Sequence, residues 1–159
     1  MKSIQNVHLH RFPAFLLIAA ILWVLPAPRA ALADDRPVVK VENVRVRAVP
    51  PVSSATAAYM VLSNLTNKPI RLVGGETSIA GVVEPMISTR PKPGTDMVGM
   101  ETVDYLEIPA HATRSLKPGG DHLMLMELKE HPKPGDKLLL KLKFEPGPVE
   151  ISVVASVFE

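Results

Sequence analysis

The stretch VKVENVRVRAV, residues 39–49, decides the fold class, because apolar and charged side chains alternate along it. Valines recur at positions 39, 41, 44, 46 and 49, and the residues between them include a lysine, a glutamate and two arginines. A spacing close to two residues places the valines on one face of a β-strand, whereas an amphipathic helix repeats every three to four residues. The stretch therefore predicts a half-buried strand.

Further strand-like runs follow this stretch at short intervals. They span residues 57–63, 70–73, 81–87, 103–108, 112–116, 122–128, 137–144 and 149–158. The segments between them are rich in Pro, Gly, Asn and Asp, which favour turns. Eight or nine short strands without an amphipathic helix of convincing length predict an all-β fold, an antiparallel Greek-key β-sandwich of the immunoglobulin-like kind.

The N-terminus has the order of segments found in a secretory signal peptide. A weakly basic stretch up to Arg11 precedes an apolar run at residues 12–25, and Ala31-Leu32-Ala33 follows. The apolar run is shorter than the roughly 20 residues that a transmembrane helix needs, and the small alanines suit a signal peptidase. We predict a signal peptide at residues 1–33 and one exported domain at residues 34–159, without stable membrane insertion after cleavage.

Charge and composition exclude several classes of function. Of 18 basic and 16 acidic residues, Lys2, Arg11 and Arg29 lie within residues 1–33, so residues 34–159 have 15 basic against 16 acidic residues. A near-neutral domain lacks the basic surface that nucleic-acid binding needs, and we expect no nucleic-acid partner. The absence of cysteine excludes disulfides, thiolate metal sites, a Cys nucleophile and a lipidated Cys anchor.

The segment DHLMLMEL, residues 121–128, breaks the alternation expected of a half-buried strand. A strand would place Leu123 and Leu125 on one face and His122, Met124 and Met126 on the other, so that both faces are largely apolar. Taken singly, a methionine there is explained by adaptable core packing. A histidine with methionines on one face, directly after a Pro-Gly-Gly turn, indicates instead a site for a soft ion such as Cu(I), which thioether and imidazole ligands favour.

The spacing around this segment resembles that of a known family. Met100 is followed by twenty-one residues, His122, one residue and Met124. The periplasmic copper chaperones of the PCu(A)C family have a His or Met, about ten residues, a Met, twenty-one residues and His-x-Met. The resemblance covers nearly all of residues 34–159 and is reinforced by residues 57–59, 71–74, 106–110 and 116–120. It implies a cupredoxin-like β-sandwich that binds Cu(I) near its surface.

The resemblance also implies a ligand set. Met100, His122 and Met124 match three of the family's ligands by position. For the fourth ligand we favour Met86, although thirteen residues rather than ten separate it from Met100 and an insertion within residues 90–96 would have to absorb the difference. Met97 is the competing candidate.

The function implied is that of a monomeric, exported Cu(I) metallochaperone in the periplasm. Its partner would be a copper acceptor, either the Cu(A) site of cytochrome c oxidase or an assembly factor that serves it. An electron-transfer cupredoxin would need a Cys ligand, and no nucleophile elbow or metal-hydrolase motif predicts an enzyme. Two alternatives stay open: a metal-free exported β-sandwich that binds a protein partner, and a copper-sequestering buffer without specific delivery.

Overall fold

The computed structural model describes residues 38–89, 99–147 and 149–159 and forms ten β-strands. In chain order the strands are β1 (Val39–Arg47), β2 (Ala55–Asn64), β3 (Ile70–Glu76), β4 (Ala80–Thr89), β5 (Gly99–Thr102), β6 (Leu106–Ile108), β7 (Thr113–Leu116), β8 (His122–Leu128), β9 (Lys137–Glu145) and β10 (Val149–Phe158). The all-β prediction is confirmed. Within the described ranges no helix has the length and hydropathy needed to cross a membrane.

The strands form one sheet in the order β5-β4-β8-β2-β1-β10-β9-β3-β6, with β7 also paired to β2. Strand β2 has two successive partners along the same edge. Residues 55–58 pair with β8, and residues 60–63 pair with β7. The sheet therefore divides at Tyr59, and the β8 branch leads to β4 and β5.

One strand pair departs from the predicted antiparallel arrangement. Strands β1 and β10 run parallel, with Arg45 opposite Ser156 and Arg47 opposite Phe158, so the sheet is mixed. A parallel pair needs a long connection between its strands, and here the connection is most of the chain, since β1 and β10 are the first and last strands. The sequence pattern of each strand carries no information about this pairing.

The valine pattern of β1 is explained by a β-bulge. Val39 and Val46 are buried in the core, although the step from Val41 to Val44 is three residues rather than two. The register with β2 shifts between Glu42 and Arg45, and Asn43 has a φ of 53°. An extra residue in a bulge restores the alternation, and Asn tolerates the left-handed conformation better than most residues.

Asn64 ties the end of β2 to the end of β6. Its side chain is 2% exposed, and Nδ2 donates to the carbonyls of Lys68, Ile108 and Pro109 at 2.8, 3.0 and 3.0 Å. Its Oδ1 accepts from the Thr66 N–H at 2.9 Å and from the Thr66 hydroxyl at 2.8 Å. One buried amide thus links the loop after β2 to the end of β6 and to the residue that follows it.

Candidate metal centre

The pairing of β4 with β8 brings two of the predicted ligands face to face. Met86 lies directly opposite His122, and Glu84 lies directly opposite Met124. Directly opposite residues of an antiparallel pair share one face, with Cβ atoms about 5 Å apart. His122 and Met124 are two residues apart and therefore also share that face. The structure thus places Met86, His122 and Met124 together.

The pairing of β4 with β5 adds Met100 to this face. Met100 lies opposite Ser88, which is two residues beyond Met86 on β4. Met100 is therefore diagonal to Met86, a separation of about 7–8 Å that long side chains can bridge. The four predicted ligands accordingly lie on one face of the β8-β4-β5 branch, while Met97 lies outside the described residues. We call this face, with Met86, Met100, His122 and Met124, the candidate centre.

His122 is held in one tautomer by the turn before it. Its Nδ1 lies 2.9 Å from the Gly120 carbonyl oxygen. A carbonyl only accepts hydrogen bonds, so Nδ1 carries the proton and donates it. The lone pair then belongs to Nε2, the nitrogen available to a metal ion, and a hydrogen bond from the other ring nitrogen is the usual way in which a protein orients a histidine ligand.

The four side chains of the candidate centre differ in how far they are exposed to solvent. His122 is 6% exposed, Met86 and Met124 are half-buried, and Met100 is 43% exposed. The position of His122 directly after the Pro-Gly-Gly turn does not open it to solvent, because the Tyr59 ring packs beside it with ring centroids 6.2 Å apart. The imidazole is therefore shielded, and Met100 is the part of the centre that faces solvent.

The second apolar face of β8 now has an explanation. Leu123 and Leu125 are fully buried and belong to the hydrophobic core. His122 and Met124 occupy the opposite face, where Tyr59 covers the imidazole. Within the described ranges no three His, Asp or Glu side chains are placed to share a metal ion, so the candidate centre depends on thioether sulfur.

Sequence reasoning missed the contacts that four residues make beside the centre. Asp121 accepts hydrogen bonds from the Arg114 guanidinium and from the Ser88 N–H. Arg114 is seven residues and Ser88 thirty-three residues from Asp121, so no local pattern joins them. For Tyr59 the only signal was its place in the motif-like Ala57-Ala58-Tyr59 segment, and its contact with His122 depends on the pairing of β2 with β8.

Known proteins resemble this chain in sequence and in fold. Residues 39–155 match the family model "Putative lipoprotein LpqE-like". This chain belongs to the LpqE-like family. A curated relative, "Putative lipoprotein Lxx21020" of Leifsonia xyli subsp. xyli (strain CTCB07), is 36% identical over 104 residues. The match covers 64% of this chain and 61% of that protein, so the chain spans less than two thirds of the relative's length.

Solved structures also resemble this LpqE-like chain. The Cu(I) form of DR1885 from Deinococcus radiodurans is 39% identical to this chain. The match covers 83% of this chain and 85% of DR1885, with a TM-score of 0.59. Apo-DR1885 is 35% identical to this chain, and the match covers 99% of this chain and 97% of apo-DR1885, with a TM-score of 0.58. The copper-bound PCuAC domain from PmoF2 is 22% identical over 76% and 92%, with a TM-score of 0.64, which shows a shared fold. The resemblance to the PCu(A)C family and the cupredoxin-like fold class are thereby confirmed.

Proposed function

We propose that the protein is a Cu(I)-binding metallochaperone whose ligands are Met86, Met100, His122 and Met124. The observation that carries the proposal is that β8, β4 and β5 bring these four side chains to one face. The hydrogen bond from His122 Nδ1 to the Gly120 carbonyl leaves the lone pair of Nε2 free to bind a metal ion. Cu(I) is the ion that thioether and imidazole ligands favour, whereas Mg²⁺ and Ca²⁺ require oxygen.

The ligand set suits transfer rather than permanent storage. Three thioethers and one neutral imidazole leave the Cu(I) complex with a net charge of +1 and need no deprotonation of sulfur. A partner with thiolate ligands binds Cu(I) more strongly, so transfer to such a partner is downhill. Met100, at 43% exposure, is the ligand that a partner reaches first, and it is the natural place for a shared-ligand intermediate.

The relatives support this assignment. The 39%-identical DR1885 was solved in a Cu(I) form, and the PmoF2 domain was solved with copper bound. The acceptor we propose is the Cu(A) site of cytochrome c oxidase or one of its assembly factors. The protein acts as a monomer and is not an enzyme. A copper buffer without specific delivery is the competing function for the same site.

We further propose that residues 1–33 are a cleaved signal peptide and that residues 34–159 act in the periplasm as one domain. The matched family model bears the name of lipoproteins, but none of the 159 residues is cysteine, so no residue of this sequence can carry a thioether-linked lipid. Intact mass of the protein recovered from the periplasmic fraction tests this proposal. A mature chain that begins at Asp34 is expected, and a full-length chain retained in the cytoplasm would overturn it.

Copper transfer separates a chaperone from a buffer. The Cu(I)-loaded protein is mixed anaerobically with a reduced soluble Cu(A) domain, the two are separated, and copper is measured in each. We expect copper to move to the thiolate acceptor much faster than it moves to a small chelator of equal affinity. Equal rates to both would favour the buffer, and a protein that carries no copper would favour the metal-free interaction domain.

A further inference from the structure

Asp121 stands directly before His122, and its carboxylate contacts two other strands. Oδ2 accepts from Arg114 Nη2 at 2.6 Å and from Arg114 Nε at 3.2 Å, and Oδ1 accepts from the Ser88 N–H at 3.2 Å. The Arg114 and Asp121 side chains are 30% and 22% exposed, so water screens the pair only in part. We call these three residues the Asp121 bridge.

The Asp121 bridge extends the ladder between β4 and β8 beyond its last residue pair. That last pair is Met86 with His122. Two residues further along β4, Ser88 would need a partner on β8, but the chain there has already entered the turn that ends at Asp121. The side-chain carboxylate takes the Ser88 N–H in place of a strand carbonyl. The ladder is thus closed by a side chain at the position where the candidate centre lies.

The bridge joins the strands that carry the ligands. Ser88 is two residues from Met86 and directly opposite Met100, so its backbone position is tied to the positions of both methionines. Asp121 is adjacent in sequence to His122. Arg114, which lies on β7, also donates Nη1 to the Glu107 carbonyl on β6 at 2.8 Å and so braces the carboxylate from a third direction.

We propose that Asp121, held by Arg114, is a positioning residue that sets the distance between the thioethers of Met86 and Met100 and the imidazole of His122. This inference rests on the proposed Cu(I) site. Binding sites hold their ligands within about 0.5 Å of the required geometry, and loss of a residue that orients a metal ligand commonly lowers metal affinity about 10- to 100-fold. Asp121 acts on copper through these ligands and is not itself a ligand.

The test compares Asp121→Ala, Asp121→Asn and Arg114→Met with the unchanged protein in an anaerobic Cu(I) competition titration with a chromogenic chelator. We expect Asp121→Ala to lower Cu(I) affinity about 10- to 100-fold and Asp121→Asn, which keeps one acceptor oxygen for Ser88, to lower it less. The double variant Asp121→Ala/Arg114→Met should bind as weakly as Asp121→Ala alone, because the two residues act as one unit. Glu150→Gln, which removes the distant Lys141–Glu150 ion pair of 3.3 Å, is the matched control and should bind normally.

A second readout separates positioning from a general loss of stability. X-ray absorption of the Cu(I)-loaded variants counts sulfur and nitrogen ligands, and amide exchange reports whether Ser88 loses its hydrogen bond. We expect Asp121→Ala to lose a sulfur ligand or lengthen its Cu–S distances while it stays folded at the temperature of the titration. If Asp121→Asn and Asp121→Ala both keep wild-type affinity and the same ligand count, the positioning role is overturned while the Cu(I) site stands. If the unchanged protein binds no Cu(I), both proposals are overturned.

Discussion

At the scale of single residues, buried polar side chains decide both the connections of the fold and the form of the site. His122 and Asn64 are each nearly inaccessible to water, and each donates a side-chain hydrogen bond to a backbone carbonyl. The sequence singled out His122 because methionines surround it. Its tautomer followed only from the structure, because the partner is a carbonyl whose position depends on the conformation of the turn.

Asn64 gives a prediction at this scale. Replacement by alanine removes the amide's hydrogen bonds to the Ile108 carbonyl and to the Thr66 N–H, while the Pro109 carbonyl keeps its bond from the Ala112 N–H. An unsatisfied buried polar group costs about 1–3 kcal/mol, so Asn64→Ala should lower the free energy of unfolding by about 3 kcal/mol in urea denaturation. The exposed neighbour Asn67 provides the control, since Asn67→Ala should change the free energy of unfolding by less than about 0.5 kcal/mol. Equal effects of the two variants would contradict the role given to Asn64.

At the scale of strands, the sequence predicted most elements because hydrophobic alternation is strong where one face is buried. Strand β10 begins and ends at the predicted residues, and so does β8, although its two apolar faces break the alternation. Strand β5 was missed, since it has four residues, none of them buried, and offers no alternation to detect. The run at residues 103–108 was predicted as one strand, but Val103 still bonds to Pro85 beside β5, and β6 begins only at Leu106.

The two faces of β8 lead to a prediction at the strand scale. Leu125 is 1% exposed in the core, whereas Met126 lies on the other face and is half-buried. Leu125→Ala creates a cavity and should destabilise the protein by about 2–5 kcal/mol, and Met126→Ala should cost less than half as much. Chemical denaturation of both variants measures the loss of unfolding free energy in each. A larger effect at Met126 would mean that the assignment of the two faces is wrong.

The ion pairs between β3 and β9 give a prediction for pH. The Lys143 ammonium, through a hydrogen bond and its charge, holds the pKa of Glu76 below its ordinary value of 4.5. Because the folded-state pKa is the lower one, the pair stabilises the fold above the unfolded-state pKa, and this contribution disappears as pH falls through the folded-state pKa. At low salt, Glu76→Gln should therefore be slightly less stable than the unchanged protein at pH 7, with the difference closing in acid. If the difference in stability between the two proteins grows toward low pH, or if high salt does not reduce it, the stabilising role of the Glu76–Lys143 pair is contradicted.

At the scale of the whole molecule, the candidate centre exists only because distant segments meet. The sequence predicted the ligands from a spacing pattern, yet Met86 comes opposite His122 through the pairing of β4 and β8, which are separated by β5, β6 and β7 in the chain. The parallel pairing of β1 and β10 joins the first and the last of the described strands in the same way. Long-range pairings of this kind leave no local signature, which is why the sequence predicted the fold class but not the strand order.

Copper bound across three strands should stabilise the whole fold. A ligand that binds only the folded state at about 100 times its Kd adds about 2.7 kcal/mol, or about 10 °C in Tm for a domain of this size. Anaerobic calorimetry should show this rise with Cu(I) and not with Mg²⁺. The rise should be clearly smaller in His122→Ala at the same Cu(I) concentration, and an undiminished rise in that variant would place the copper elsewhere.

The central claim, that Met86, Met100, His122 and Met124 together bind Cu(I), is tested most directly by anaerobic competition titration with a chromogenic chelator. Each of the four residues is replaced by alanine in turn, and Met97→Ala and Met126→Ala serve as comparisons. We predict one tight equivalent of Cu(I), weakened at least about 10-fold in each of the four variants and unchanged in the two comparisons. Absence of binding, or binding that is indifferent to these four substitutions, would contradict the account, and a loss in Met97→Ala but not in Met86→Ala would move the fourth ligand to Met97.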